Sequence, residues 1–280
     1  MADTSHTSDR NSGAHAAGGV IGGLVSRSEA PASQYLIELA GGSPYLDLHD
    51  LRVGYGKMEV IHGLDLKVGR GQSVCLVGPN GAGKSTVLNA IFGLADVFGG
   101  RIQVAGRDVV GVSAGTMLTK AKVAYVLQTN SVFPDMTVEE NLFMGGYLLP
   151  SRRQAAEAAE RIFDTYPKLR ERRGECAGAL SGGERRILEL SRALITEPDI
   201  LLVDEPSIGL EPQAIDAVFD MLDRLQRVDG VTVLIVEQNV KKGLEFADIG
   251  YVLTGGRVAL ADRAERLLEN PAVGRLFLGG

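Results

Sequence analysis

The chain has 280 residues, 45% of them apolar and 23% charged, which is ample material for a single large core. Its formal net charge of -6 leaves no basic footprint, so the expected partners do not include a nucleic acid. No run of 18 apolar residues crosses a membrane, and Cys75 and Cys176 form neither a CxxC site nor a disulfide framework, a pattern that fits a reducing cytoplasm.

Residues 1–43, rich in Ser, Gly, Ala and His, show no sustained period and read as a flexible tail. "AHAAGGVIGGLV" within them is not expected to be a secretory leader, because its glycines interrupt the apolar stretch and Asp3 and Asp9 spoil the positive start. From residue 44 onward a globular domain is expected to run to 280. It opens with short alternating strands, from Leu46 to Tyr55 and over 60–68, which predict an antiparallel edge layer.

The class changes at "SVCLVG", residues 73–78, a continuous apolar strand that meets a glycine loop and then the helix "KSTVLNAIFGLA". Further apolar strands are predicted at 123–127, 200–204, 231–236 and 249–253, as in a parallel α/β sheet. The interval of about 132–196 reads as an inserted helical subdomain. It carries a capping box from Thr137 to Glu140, the amphipathic stretch "RRQAAEAAERIFDTY", and Phe133 and Leu142 as core residues.

"GPNGAGKST", residues 78–86, has the spacing G-x-x-x-x-G-K-[ST] between a buried strand and a helix. The backbone N–H groups of Gly78, Pro79's neighbours, Asn80, Gly81, Ala82 and Gly83 are expected to turn in on a phosphate chain. Lys84 would bridge the terminal phosphates, Ser85 would ligate Mg²⁺ and Thr86 would hold an inner phosphate. "ILLVDEP", 200–206, delivers two carboxylates to a strand end, Asp204 toward the metal and Glu205 as general base toward a water. "LSGGE", 180–184, has two readings: a capping box from Ser181 to Glu184, or a glycine-rich anion site at a helix start.

Taken in order, these motifs resemble the nucleotide-binding subunits of ATP-binding cassette (ABC) transporters over residues 44–280. Within that family "FPDMTVEENLFMGGY", "LSGGERRILELSRAL", "LVDEPSIGL", "LIVEQNV" and "LENPAVGRLFLGG" are most similar to the LivF type of branched-chain amino acid importer. The resemblance implies a P-loop ATPase core with Tyr55 stacked on adenine, Gln128 as the Q-loop glutamine and a third metal-side group with Ser85 and Asp204, and "SIGLEP" at 207–212 as the D-loop. It further implies Mg²⁺ and ATP sandwiched between one subunit's 78–86 and Ser181, Gly182 and Gly183 of a second ATPase subunit, identical or paralogous. Membrane permease subunits would dock on the helical lobe, with a solute-binding protein beyond them, and the chain would sit on the inner face of the cell membrane.

Three residues depart from the family pattern: Glu184 for glutamine, Glu211 for aspartate, and Gln238 for the histidine that contacts γ-phosphate and the attacking water. A glutamine can donate and accept there but cannot carry a proton, which leaves Glu205 as the proton acceptor and Gln238 as a geometric sensor. Branched-chain amino acids, other hydrophobic amino acids, and urea or short amides are all compatible cargoes. A soluble ABC ATPase and a non-hydrolysing nucleotide-binding module are the competing functions, and a P-loop kinase leaves 180–184 and 207–212 without a role.

Overall fold

The computed structural model describes residues 31–128 and 131–274. In chain order the elements are α1 (Ser33–Leu39), β1 (Leu46–Tyr55), β2 (Met58–Val68), β3 (Ser73–Val77), α2 (Lys84–Phe92), β4 (Asp96–Val104), β5 (Arg107–Asp108), α3 (Ala114–Thr119) and β6 (Val123–Val126). Then come α4 (Val138–Gly145), α5 (Arg152–Thr165), α6 (Pro167–Glu171), α7 (Gly182–Leu194), β7 (Ile200–Asp204), α8 (Pro212–Arg227), β8 (Thr232–Val236), α9 (Val240–Phe246), β9 (Ile249–Thr254), β10 (Arg257–Arg263) and α10 (Ala264–Leu268).

Two sheets form the frame. The first is antiparallel with the order β2-β1-β4-β5, and the second has the order β10-β9-β3-β8-β7-β6, parallel except for β10 against β9. Strands β3, β7 and β8 are buried along their whole length, and their side chains alternate between two cores. Val74, Leu76, Ile200, Leu202 and Leu234 face α2 and the first sheet, whereas Cys75, Val77, Leu201, Val203 and Ile235 face α8, α9 and α10. Burial on both faces is why these strands read as unbroken apolar runs. A third cluster, centred on Leu142, Phe163, Leu169 and Leu188, belongs to the helical lobe built from α4 to α7.

The structure differs from the sequence reading in several places. The reading of 1–43 as flexible tail is corrected at its end, where α1 buries Leu36 against the core. Tyr35 donates from its hydroxyl to Asp262 at 2.7 Å, and the Gln72 side chain donates to the Leu39 carbonyl at 2.9 Å. The leader-like stretch "AHAAGGVIGGLV" lies outside the described residues. Helix α2 stops at Phe92, short of the predicted Ala95, because Gly93 turns the chain into the left-handed region at φ 77°. Leu142 is buried as expected, but Phe133 is exposed. The edge layer gains β4 and β5, and the far edge gains β10, none of which the pattern predicted. Both cysteines are free thiols, Cys75 buried and Cys176 exposed.

Candidate functional site

Strands β3, β8, β7 and β6 lie side by side, so the segments that leave their carboxyl ends meet on one rim. They carry 78–86, Gln238, Asp204 with Glu205, and Gln128. The loop after β3 reaches α2 through Gly83, whose φ of 97° lies in the left-handed region and which caps α2 without any side-chain bond. The N-terminal end of α2 thus faces the rim with its positive dipole end. Lys84 is buried, and its ammonium donates to the carbonyls of Gly78 at 2.9 Å and Pro79 at 3.2 Å. Burial pulls its pKa below the usual lysine range, and the nearby carboxylates of Glu205 and Asp204 oppose that pull.

The two adjacent carboxylates part company as the sequence suggests. Asp204 accepts from the Ser85 hydroxyl at 3.1 Å and from the Tyr125 hydroxyl at 3.3 Å. Burial raises its pKa, against the hydrogen bond from Ser85. Glu205 sits at φ 47°, and its two carboxylate oxygens accept one amide each: Oε2 from Gln128 at 2.5 Å and Oε1 from Gln238 at 2.8 Å. Gln128 and Gln238 are both exposed, while Glu205 is buried. The two glutamines therefore frame an acid from its open side. A left-handed non-glycine residue costs about 1–3 kcal/mol and persists only where its surroundings hold it.

A second chain of contacts leads away from Asp204. The Tyr125 hydroxyl also lies 3.2 Å from Asn89 Oδ1, so its single proton alternates between that amide oxygen and Asp204, and Asn89 donates to the Tyr55 hydroxyl at 2.8 Å, which links the exposed ring of Tyr55 to Asp204 through two residues. Asn89 and Tyr125 escaped the sequence reading, because neither belongs to a motif and only the fold brings α2 and β6 together. Glu237, at the end of β8, is buried and accepts from the backbone N–H groups of Ser207 at 2.9 Å and Asn239 at 3.1 Å. Desolvation raises its pKa while those bonds lower it, and its work is to pin the 207–212 segment to β8.

Residues 180–184 do not join this group. Both halves of the capping box form: Glu184 N–H donates to the Ser181 hydroxyl, and Ser181 N–H donates to the Glu184 carboxylate at 2.9 Å. Glu184 is also held by Arg172 at 2.7 Å. The cap reading is therefore realised within the chain. Ser181 and Gly182 remain exposed at the start of α7, so an anion site offered to another molecule is compatible with the same geometry.

Beside the rim, between β6 and the lobe, lies a groove of about 390 Å³. Its walls include Tyr125, Phe133, Met144, Tyr147, Leu148 and Arg192, and it is more apolar than polar. Phe133, Met144, Tyr147 and Leu148 are all exposed, with the Arg192 guanidinium 5.4 Å from the centre of the Phe133 ring. None of the helices among the described residues is long and apolar enough to cross a membrane.

Comparison with known proteins points one way. Residues 61–208 match the family described as ABC transporter. A high-affinity branched-chain amino acid transport ATP-binding protein, BraG of Pseudomonas aeruginosa, is 40% identical over 226 residues, 81% of this chain and 96% of its own. A probable branched-chain amino acid transport ATP-binding protein, LivF of Archaeoglobus fulgidus, is 37% identical and covers 82% of this chain and 96% of its own. Among solved structures, a nucleotide-free ATP-binding cassette from an ABC transporter superposes with a TM-score of 0.76 at 26% identity, covering 85% of this chain and all (100%) of that one.

Proposed function

The chain belongs to the ABC transporter family and is an ATPase of that family; from that premise we propose that it powers import of branched-chain amino acids through separate membrane subunits. The observation that carries the mechanism is the rim itself, where Ser85 meets Asp204 and two glutamine amides meet Glu205. Lys84 and the N–H groups of 78–86 bind the phosphates, and Tyr55 offers its ring to the base. Glu205 accepts a proton from water as the water oxygen bonds to the γ-phosphorus; the bond to the bridging oxygen breaks, and ADP and phosphate are released. Gln128 and Gln238 hold that carboxylate and the water in line.

A hydroxyl and a carboxylate 3.1 Å apart are the hard oxygen donors that suit Mg²⁺, and Gln128, whose amide nitrogen is on Glu205, would have its amide oxygen left for the same ion. Bound there, the ion would neutralise charge on the outer phosphates. Ser181, Gly182 and Gly183 serve the nucleotide of a second ATPase subunit, which accounts for their standing apart from the rim. The apolar groove receives the membrane subunits at the inner face of the cell membrane, and an external solute-binding protein delivers the cargo to them.

The test is direct. Purified protein should hydrolyse Mg·ATP, and Glu205→Gln should lower kcat by about a hundredfold or more while ATP still binds. The native complex, isolated through this subunit and placed in vesicles, should take up leucine in an ATP-dependent way. Uptake of urea or a short amide instead would redirect the cargo, and isolation without any membrane subunit would overturn the transport role.

A further inference from the structure

Arg186, in the second turn of α7, is 5% exposed and reaches four acceptors on separate parts of the fold. Nη1 donates to the Leu127 carbonyl at 3.0 Å and to Glu189 Oε2 at 2.7 Å. Nη2 donates to the carbonyls of Asp204 at 2.8 Å and Glu205 at 3.2 Å. Leu127 immediately precedes Gln128, so one guanidinium holds the backbone on both sides of the Gln128–Glu205 hydrogen bond. Only arginine has a planar fork of donors able to span such a set.

What it holds matters more than how many bonds it makes. Glu205 is in the left-handed region, where the direction of the carboxylate depends on a backbone that the residue does not favour by itself. Its N–H donates to the Val236 carbonyl at 2.9 Å, and its carbonyl is the one Arg186 grips, so the peptide groups on both sides are anchored. The other end of the lever is α7. That helix begins at Ser181, and its Glu189, paired with Arg186 and 7% exposed, contributes to the wall of the apolar groove. A buried ion pair is an expensive way to fill space, and well-packed apolar residues would serve a purely structural purpose as well or better.

We propose that Arg186 is a positioning residue for hydrolysis: it orients Glu205 and Gln128 and makes their alignment depend on where α7 sits. A shift of α7, from nucleotide at Ser181–Gly183 or from a partner in the groove, is passed to the rim through this guanidinium. The proposal rests on the reading of Glu205 as proton acceptor.

The experiment uses the full chain. Arg186→Met alone would strand Glu189 as an unpaired buried charge, so the main variant is Arg186→Met with Glu189→Leu, which removes both charges together. Arg186→Lys is the second variant, keeping the charge but losing the fork. ATP affinity, kcat and thermal midpoint are measured for each, and ATP-induced dimerisation is measured with Glu205→Gln added. The expected result for the double variant is kcat reduced at least tenfold, ATP affinity within about twofold of the parent, and dimerisation retained; Arg186→Lys should fall between. Parent kcat in either variant overturns the proposal, as does loss of ATP affinity and dimerisation in step with kcat, which would mean that Arg186 only holds the fold. Undiminished hydrolysis by Glu205→Gln itself would instead sink the proton-acceptor reading beneath it.

Discussion

Gln238 donates to Glu205 Oε1 at 2.8 Å, and Gln128 donates to Oε2 of the same carboxylate, so both oxygens of the acid are spoken for by neutral amides. An amide cannot take the proton that water loses, so in the proposed mechanism the acid–base role falls to Glu205 and Gln238 aims it. Hydrogen bonds to a charged group contribute about 1.5–3 kcal/mol, so losing one that acts in the transition state slows the step by roughly tenfold to a hundredfold. Gln238→Ala is therefore expected to lower kcat by that factor with ATP affinity nearly unchanged, and stopped-flow binding beside steady-state hydrolysis will separate the two. Hydrolysis at the parent rate would reduce Gln238 to the residue that ends a strand. At this scale the sequence was legible wherever chemistry comes as a local motif, as in 78–86 and 204–205. It was silent on Arg186, Asn89 and Tyr125, whose partners outside their own elements lie 18 or more positions away: Arg186 meets Asp204 across 18 residues, and Asn89 meets Tyr125 across 36.

Among the elements, α7 shows how one stretch can satisfy two demands. Its glycines look like the price of an anion site, yet Gly183 also has a reason inside its own chain. A Cβ at Gly183 would lie 2.6 Å from Ala214 Cβ on α8, whereas one at Gly182 would meet only the flexible tip of Leu210, at 3.3 Å. Alanine gains up to about 1 kcal/mol over glycine in a helix, and overpacking costs about 1–3 kcal/mol. Gly183→Ala should accordingly be less stable than Gly182→Ala by about 1–3 kcal/mol in urea denaturation without nucleotide. Equal midpoints would mean that α8 yields and that packing does not require Gly183. Element legibility followed burial. β3, β7 and β8 were plain because both faces are covered, but β4, "DVFGGRIQV", carries two glycines and mixed exposure, and so shows neither alternation nor an apolar run. Helix α1 was hidden by its Ser- and Gly-rich surroundings; its seven residues become an element only because the core accepts Leu36.

Over the whole molecule, the rim and the groove share β6: Tyr125 reaches Asp204 on one side and lines the groove on the other. Anything seated in the groove therefore presses on the strand that leads to Gln128. The groove was the least legible feature in the sequence, since Phe133, Tyr147 and Arg192 come from three segments and each alone passes for ordinary lobe surface or core. Tyr147 is 79% exposed, so the lobe gains little stability from it, and surface substitutions of that kind stay within about 0.5 kcal/mol. An exposed tyrosine on an apolar wall is the residue type that anchors partners, where its loss costs about 2 kcal/mol, or roughly thirtyfold in affinity. Tyr147→Ser should thus leave the thermal midpoint and the hydrolysis rate of the free subunit at parent values while membrane subunits are recovered with it at a small fraction of the parent yield. If recovery is unchanged, the partner does not use this wall, and the apolar groove needs another occupant. If the free subunit's hydrolysis falls as well, Tyr147 acts through β6 on the rim, and the two surfaces cannot be treated as separable.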